Sequence, residues 1–279
     1  MSVPLIVPLA EAAAEEHFGG KAAQLAHALK NGLPVPDGVA VAWSTVSRLI
    51  EGDVHAHDVC AQAFVALAGR ALAVRSSAVG EDSATASFAG QHITRLGIRS
   101  VETGLDALRA VWTSGQDPGA LAYRERMGIT GAPRVGVVIQ MMVDSECAGV
   151  LFTRDPVTGA DHRVIEAAWG LGESVVSGLV DPDRYRVRRG GQVLEAITGD
   201  KHVAIRHTAD GQTEECPTDA ADREALCLDE YRLRALDDLA SSCERVFGGE
   251  GAHDLEWAFD RERLYLLQRR AVTRGARAH

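Results

Sequence analysis

The spacing of apolar residues along the chain predicts a mixture of strands and helices. A short apolar run bounded by glycine, proline or charged residues is typical of a buried strand. Runs of this kind occupy residues 71–74, 134–143, 147–152 and 164–167. We therefore expect sheets in both halves of the chain, with helices and loops between the strands.

Leucines at helical spacing mark other elements. Leu25 and Leu29 are four residues apart, which predicts a helix that follows Gly19-Gly20 and that Gly32 ends. Two short helices are expected between Trp43 and Gly69, and a polar connection is expected at residues 208–217. The first short helix should begin at Ser44 or Thr45, and the second at about His57 or Asp58. Three further helices are predicted, at 100–113, at about 118–127 and from about Asp222 to Phe247.

The last apolar pattern predicts a β-hairpin with one polar face. Residues 253–260 alternate, so Asp254 and Glu256 share a face, and residues 264–270 return antiparallel. We expect a three-residue connection at 261–263, because it would place Glu256 directly opposite Gln268. A two-residue connection would turn these two side chains to different faces.

Composition and charge exclude several classes of protein. The chain has 279 residues, of which 46% are hydrophobic, and that length predicts two lobes. The net charge is −10 and no run of Lys or Arg exceeds two, which argues against a nucleic-acid groove. The five cysteines never form a C-x-x-C spacing, no apolar run approaches about 18 residues, and the first 20 residues lack the basic start of a signal peptide. We expect a cytoplasmic protein without a membrane span.

Two cations and a carboxylate–amide pair are the candidate chemistry. Arg75 leaves an apolar strand and enters a loop of small residues, whose exposed backbone N–H groups suit an anion. Lys21 follows two glycines at a helix start, although this is not a Walker A loop. Glu256 and Gln268 offer the oxygen ligands that Mg²⁺ prefers. Taken singly, each also fits an ordinary surface loop, lysine or hairpin.

Four stretches taken together are more specific. Arg75-Ser76-Ser77-Ala78, followed by Glu81-Asp82 and by Ser87-Phe88-Ala89-Gly90-Gln91, closely resembles the nucleotide-binding domain of the pyruvate phosphate dikinase and phosphoenolpyruvate synthase family. That family also includes rifampin phosphotransferases. Three further stretches resemble it, namely the Gly-Lys helix followed by Gly-Leu-Pro-Val-Pro at residues 20–36, residues 147–159, and Asp-Leu-Glu-Trp-Ala with Leu-Tyr-Leu-Leu-Gln-Arg-Arg at residues 254–258 and 264–270.

The resemblance implies a fold and a site. The fold is an α+β, ATP-grasp-like arrangement in which two lobes, residues 1–143 and 144–279, clamp ATP between mixed or antiparallel sheets. Lys21, Arg75 and Arg270 would act on the phosphates, and Glu256 and Gln268 would hold Mg²⁺. The resemblance also implies nucleotide contacts at Gly90, Thr94, Arg95, Gln140, Met141, Met142 and Val143. Met141 stands where relatives often have a basic residue, Ala271 stands where they usually have proline, and the helical stretch after Trp43 is abbreviated.

The resemblance further implies transfer of a phosphoryl or pyrophosphoryl group from ATP to a histidine. None of the ten histidines lies in the family's Thr-Cys/Ser-His context, so we expect that histidine on a separate carrier domain or protein. One alternative is a stand-alone kinase or ligase that acts on a small-molecule acceptor in specialised metabolism. Another is a nucleotide-binding regulatory module without turnover, although the retained Lys21, Arg75, Glu256, Gln268 and Arg270 speak against it.

Overall fold

A computed structural model describes residues 6–80, 93–119, 121, 125, 131–208, 212–248 and 251–272. The chain forms two compact units. The first holds most of the described residues up to Met142, and the second holds residues 31–35 and most of those from Val143 onward. Helices and antiparallel sheets occur in both units, so the predicted α+β class is confirmed.

The secondary structure begins with a strand and one turn of 3-10 helix at Leu9–Glu11. The helices are α1 Glu15–Phe18, α2 Gly20–Lys30, α3 Trp43–Ile50, α4 Val54–Ala66, α5 Val101–Ser114, α6 Glu173–Val176, α7 Ala220–Glu224 and α8 Glu230–Phe247. The strands are β1 Ile6–Pro8, β2 Gly38–Val41, β3 Leu72–Ala78, β4 Thr94–Ile98, β5 Val135–Met141, β6 Cys147–Phe152, β7 His162–Trp169, β8 Asp183–Arg188, β9 Val193–Ile197, β10 Val203–His207, β11 Thr213–Pro217, β12 Ala252–Asp260 and β13 Arg263–Val272.

The first unit contains a five-stranded antiparallel sheet in the order β1-β2-β5-β3-β4. Alternate residues of β3, such as Leu72 and Val74, pack with Leu105 and Leu108 of α5 in one apolar core. The opposite face of this sheet contacts α2, where the backbone N–H of Ala22 donates to a hydroxyl on β3. Side chains of β3 that point away from the core therefore lie beside the start of α2.

The second unit contains a six-stranded antiparallel sheet in the order β13-β12-β6-β7-β8-β9. Strands β10 and β11 form a separate two-stranded sheet. Helix α8 covers one face of the larger sheet, where Arg163 of β7 bonds to Asp237 of α8. We call this the helix face. Residues one position along each strand point to the other face, which carries Asp254 and Glu256 and is called the polar face.

Two predicted helix boundaries were wrong, each because a side chain captures a backbone N–H group. Helix α4 begins at Val54 rather than near His57, since Asp53 caps it by accepting the Ala56 N–H at 2.8 Å. The long helix expected from Asp222 is two helices, α7 and α8. Between them the N–H of Cys227 donates to Asp183 at 2.7 Å, which takes that N–H out of any helix.

The polar connection expected at 208–217 was also wrong in part, because residues 213–217 form β11, paired in full register with β10. The helix predicted at about 118–127 lies largely outside the described residues. Among the residues that are described, no helix combines the length and the apolar character that a bilayer crossing requires.

Candidate functional site

The β12–β13 hairpin pairs Glu256 with Gln268, as the sequence predicts, but the predicted loop length was wrong. Two residues rather than three connect Asp260 to Arg263. The register then shifts after Trp257, which pairs with Leu266, so that Glu256 meets Gln268. Leu267 is the extra residue of this β-bulge, and it supplies the one-residue offset that a longer loop would have given.

Four polar side chains gather on the polar face of this hairpin. Asp254 lies opposite Arg270, and Glu256 lies opposite Gln268. Directly opposed residues of an antiparallel pair have Cβ atoms about 4.5–5.5 Å apart. Gln268 is buried, and in the amide orientation that satisfies both groups its Oε1 accepts from Arg270 Nε at 2.6 Å and Nη2 at 2.5 Å.

Asp254 is the site residue to which the sequence analysis gave no role. Its Oδ1 is buried and has no hydrogen-bond partner among the described residues. Burial, and then the charge of Glu256, raise the pKa of the Asp254 carboxyl to about 6, and Arg270 opposes them only in part. The sequence did contain an indication of this role, because the two-residue spacing of Asp254 and Glu256 places both carboxylates on one face of the strand.

This donor set fits a hard divalent cation. Carboxylate and amide oxygens are the ligands that Mg²⁺ takes, and a cation would satisfy Asp254 Oδ1 and relieve its repulsion with Glu256. The described part of the chain contains no group of three His, Cys, Asp or Glu side chains placed to hold a metal. A cation here would therefore complete its shell with the Gln268 carbonyl, water or phosphate oxygens.

A second cluster lies in the first unit, where α2 begins against β3. Gly19 has φ +84°, and a Cβ there would lie 2.0 Å from the Ser77 carbonyl oxygen, so only glycine permits this close approach. The Ala22 N–H donates to Ser77 Oγ at 3.0 Å. Lys21 is only 4% exposed and donates from Nζ to the Ser76 carbonyl at 3.0 Å. Lys21 is thus not a solvated surface lysine.

Arg75 belongs to this cluster through the pleat of β3. Ser77 points toward α2, and Arg75, two residues earlier, points the same way. Thr94 on β4 lies opposite Arg75, whereas Arg95 lies opposite Val74 and so belongs to the other face of the sheet. The structure therefore brings Lys21, Arg75 and Thr94 to one face, and it does not bring Arg95 there.

The remaining predicted nucleotide contacts follow β5. Gln140 is buried and its Nε2 donates to the Pro36 carbonyl at 3.0 Å. The backbone N–H groups of Met141 and Met142 donate to carbonyls of Asp37 and Ala71. Val143 is buried beside Ala148 and Ala258 in the second unit. Gly90 lies outside the described residues.

Comparisons with known proteins identify the family. Residues 54–279 match the family described as pyruvate phosphate dikinase, AMP/ATP-binding domain. The chain is 40% identical over 204 residues to a probable phosphoenolpyruvate synthase of Methanothermobacter thermautotrophicus, covering 72% of this chain and 29% of that protein. It is 39% identical over 206 residues to a rifampicin phosphotransferase of a Streptomyces species, covering 73% and 23%.

A third relative extends over nearly the whole chain. The prodigiosin synthesizing transferase PigC of Serratia marcescens is 33% identical over 306 aligned positions, which cover 99% of this chain and 34% of that protein. The chain thus spans between 23% and 34% of the length of these three relatives. The family match and these identities show that the chain belongs to the pyruvate phosphate dikinase AMP/ATP-binding domain family, the family that the four sequence stretches resemble.

Proposed function

We propose that the chain binds Mg-ATP and acts as a dikinase-type phosphotransferase domain. The observation that carries the proposal is the polar face of the β12–β13 hairpin, where buried Asp254 Oδ1 lacks a partner among the described residues beside Glu256, Gln268 and Arg270. A carboxylate left this way in a folded protein costs free energy, and a bound cation would recover it. Because the chain belongs to an AMP/ATP-binding domain family, we take ATP as the nucleotide that this cation accompanies.

Each residue has a proposed role. Asp254, Glu256 and Gln268 hold Mg²⁺, which when bound neutralises phosphate oxygens. With the metal bound, Gln268 Oε1 would turn from Arg270 to the cation, and the guanidinium of Arg270, which Gln268 holds in the metal-free chain, would point to the same oxygens. Lys21 acts on the phosphates as a compact charge, and Arg75 grips two oxygens at once. These side chains supply positioning and charge stabilisation, which is the main protein contribution to phosphoryl transfer.

The proposed nucleotide contacts include Thr94, Gln140, Met141, Met142 and Val143. Gly90 completes the set, whereas Arg95 is left out of it because it lies on the other face of the sheet. Because the N–H groups of Met141 and Met142 already bond within the first unit, contacts from these two residues would use carbonyl oxygens or side chains. We propose that the two lobes, residues 1–143 and 144–279, form an ATP-grasp-like clamp around the nucleotide.

In the proposed reaction, a phosphoryl or pyrophosphoryl group of ATP is transferred to a histidine imidazole nitrogen of a separate carrier domain or protein. Attack at the β-phosphorus forms a P–N bond, breaks the α,β P–O bond and releases AMP. Attack at the γ-phosphorus breaks the β,γ bond and releases ADP. In both cases the histidine ring gives one proton to solvent. All five cysteines are free thiols, in keeping with the cytoplasmic location that we propose.

The test is to incubate the chain with Mg-ATP labelled separately at the β- and γ-phosphates, with and without a carrier domain from a relative. We expect label on the carrier, acid-labile as a phosphohistidine, and loss of labelling in Glu256→Gln. AMP with both labels transferred indicates pyrophosphoryl transfer, whereas ADP with the γ-label alone indicates phosphoryl transfer. Absence of Mg-ATP binding by the wild-type chain would contradict the proposal. Label found only on a small molecule would contradict the histidine acceptor.

A further inference from the structure

Two registers can be drawn for the β12–β13 hairpin, the observed bulged pairing and an unbulged one, and only the observed one builds the polar face. The two-residue connection alone would continue the pairing that begins at Asp260 and Arg263. Glu256 would then meet Leu267, and Gln268 would turn to the helix face. The bulge at Leu267 prevents this, and a one-residue change of register moves every later side chain to the opposite face.

The residue between Gln268 and Arg270 is held on the helix face. Arg269 donates to Nδ1 of His253 from Nε at 3.1 Å and from Nη2 at 2.5 Å. Its guanidinium also lies over the ring of Phe247, the last residue of α8, at 4.6 Å from the ring centre. Side chains alternate along β13, so when Arg269 lies on the helix face its neighbours Gln268 and Arg270 lie on the polar face.

The partner of Arg269 is itself fixed. His253 Nε2 donates to the Gly248 carbonyl at 2.8 Å, which leaves Nδ1 as an acceptor for Arg269. The backbone N–H of His253 donates to Thr153 Oγ1 at 2.8 Å, and its carbonyl accepts from the Thr153 N–H at 2.9 Å. The Thr153 carbonyl accepts from buried Arg163 at 2.7 Å. The acceptor of Arg269 is thus anchored to the residues that follow β6 and α8, and through Thr153 to Arg163 of β7.

We propose that Arg269 and His253 form a register lock, which holds the bulged pairing and so positions Gln268 and Arg270 on the polar face. In the unbulged register Arg269 would lie opposite Asp254 on the polar face and would lose both His253 and Phe247. The contacts of Arg269 with His253 and Phe247 therefore stabilise the observed register and not the unbulged one. The role of the lock in metal binding rests on the proposed function, whereas its role in pairing does not.

Cross-strand cysteine pairs report the register without any activity. Ala252 lies opposite Val272 in the observed pairing and would lie opposite Ala271 in the unbulged one. We expect A252C/V272C to form a disulfide in the otherwise wild-type chain and A252C/A271C not to form one. Adding Arg269→Leu should reduce the first cross-link and permit the second, both read by peptide mass spectrometry. The matched control is Arg263→Leu, which removes an exposed arginine of the same strand before the bulge.

Metal binding gives the second readout. With ATP present, we expect the Mn²⁺ dissociation constant, measured by electron paramagnetic resonance, to rise about 10- to 100-fold in Arg269→Leu. His253→Leu should act in the same direction and replaces Arg269→Leu if that variant does not fold. His253→Gln should restore both readouts, since the Gln amide can accept from Arg269 and donate to the Gly248 carbonyl.

The two proposals can fail separately. Native cross-linking in both Arg269→Leu and His253→Leu would overturn the register lock, even if Mn²⁺ bound more weakly. The register lock would also be overturned if Arg263→Leu weakened the native cross-link as much as Arg269→Leu does. Failure of the wild-type chain to bind Mn²⁺ with ATP would instead overturn the proposed function, and the cross-links would still decide the pairing.

Discussion

The two faces of the six-stranded sheet handle buried charge in opposite ways. On the helix face, Arg163 is fully buried and donates to Asp237, Glu244 and Ser241 of α8. On the polar face, Asp254 Oδ1 is buried without a partner among the described residues. A saturated network of this kind serves structure, whereas an unsatisfied carboxylate is typical of a site that awaits a ligand.

The pKa values of one carboxyl from each face show the same contrast. Burial tends to raise the pKa of Glu244, but hydrogen bonds from Arg189 and Arg163 outweigh it and lower the value to about 2. Burial and the neighbouring Glu256 raise the pKa of Asp254 to about 6. Burial acts in the same direction on both carboxyls, yet the outcomes are opposite because one is surrounded by arginine donors and the other lies beside a second carboxylate.

The largest effect on stability is expected from breaking the helix-face network. Arg163→Met should lower the free energy of unfolding by about 3–5 kcal/mol, because it leaves Asp237 and Glu244 buried with too few partners. Urea unfolding measures the change. Arg109→Met is the control, since Arg109 pairs with Asp106 at an exposed site and should change the free energy by less than about 0.5 kcal/mol. A loss below about 1 kcal/mol for Arg163→Met would contradict the structural role of the network.

The next effect separates function from stability on the polar face. Glu256→Gln should weaken Mg-ATP binding by about 10- to 100-fold, the usual loss when one charge-assisted contact is removed. The metal-free chain should lose no free energy of unfolding and should gain some at pH 7, because this substitution removes a repulsive neighbour of Asp254. Calorimetric titration with Mg-ATP and urea unfolding test the two halves. Unchanged binding would remove Glu256 from the metal site.

Short-range patterns in the sequence predicted much of the fold, and long-range bonds account for what they missed. Leu25, Leu29 and Gly32 predicted helix α2 and its end, because helical spacing and a left-handed glycine are local properties. The contact between Arg163 and Glu244 joins residues 81 positions apart and has no local signature. The break before α8 likewise depends on Asp183, 44 residues away from Cys227.

The candidate site was predictable to a similar extent. Alternation placed Asp254 and Glu256 on one face, and the family resemblance selected Gln268 and Arg270. The bulge at Leu267 could not be read from the sequence, because its register depends on contacts that β13 makes with β12 and α8. The unsatisfied state of Asp254 could not be read either, since burial depends on the packing of neighbouring strands.

The pH dependence of stability gives a smaller test of the same contrast. Because the folded pKa of Asp254 lies above its ordinary value of 3.8, Asp254 costs stability as pH rises from about 4 to 6. Without metal, Asp254→Asn should therefore be more stable than wild type at pH 7, by about 1–3 kcal/mol, and equal to it near pH 4. Saturating Mg-ATP should reverse the order at pH 7.

Glu244 predicts the opposite slope on the helix face. Its folded pKa of about 2 lies below the ordinary 4.5, so its contribution is present above pH 4.5 and is lost as pH falls toward 2. Urea unfolding from pH 7 to pH 3 separates the two carboxyls. Equal stability of Asp254→Asn and wild type at pH 7 without metal would show that Asp254 is not strained there.

The smallest effect is expected at the exposed end of the polar face. Arg184 lies opposite Glu166, and its side chain is 60% exposed, with Glu166 at 3.6 Å and Asp181 at 3.4 Å. Since water screens such pairs, Arg184→Ala should change the free energy of unfolding by less than about 0.5 kcal/mol and leave Mg-ATP affinity unchanged. A tenfold loss of affinity would show that the nucleotide site extends across the sheet to β8. Charge on the polar face would then matter beyond the buried hairpin, and the contrast between the two faces would not depend on burial alone.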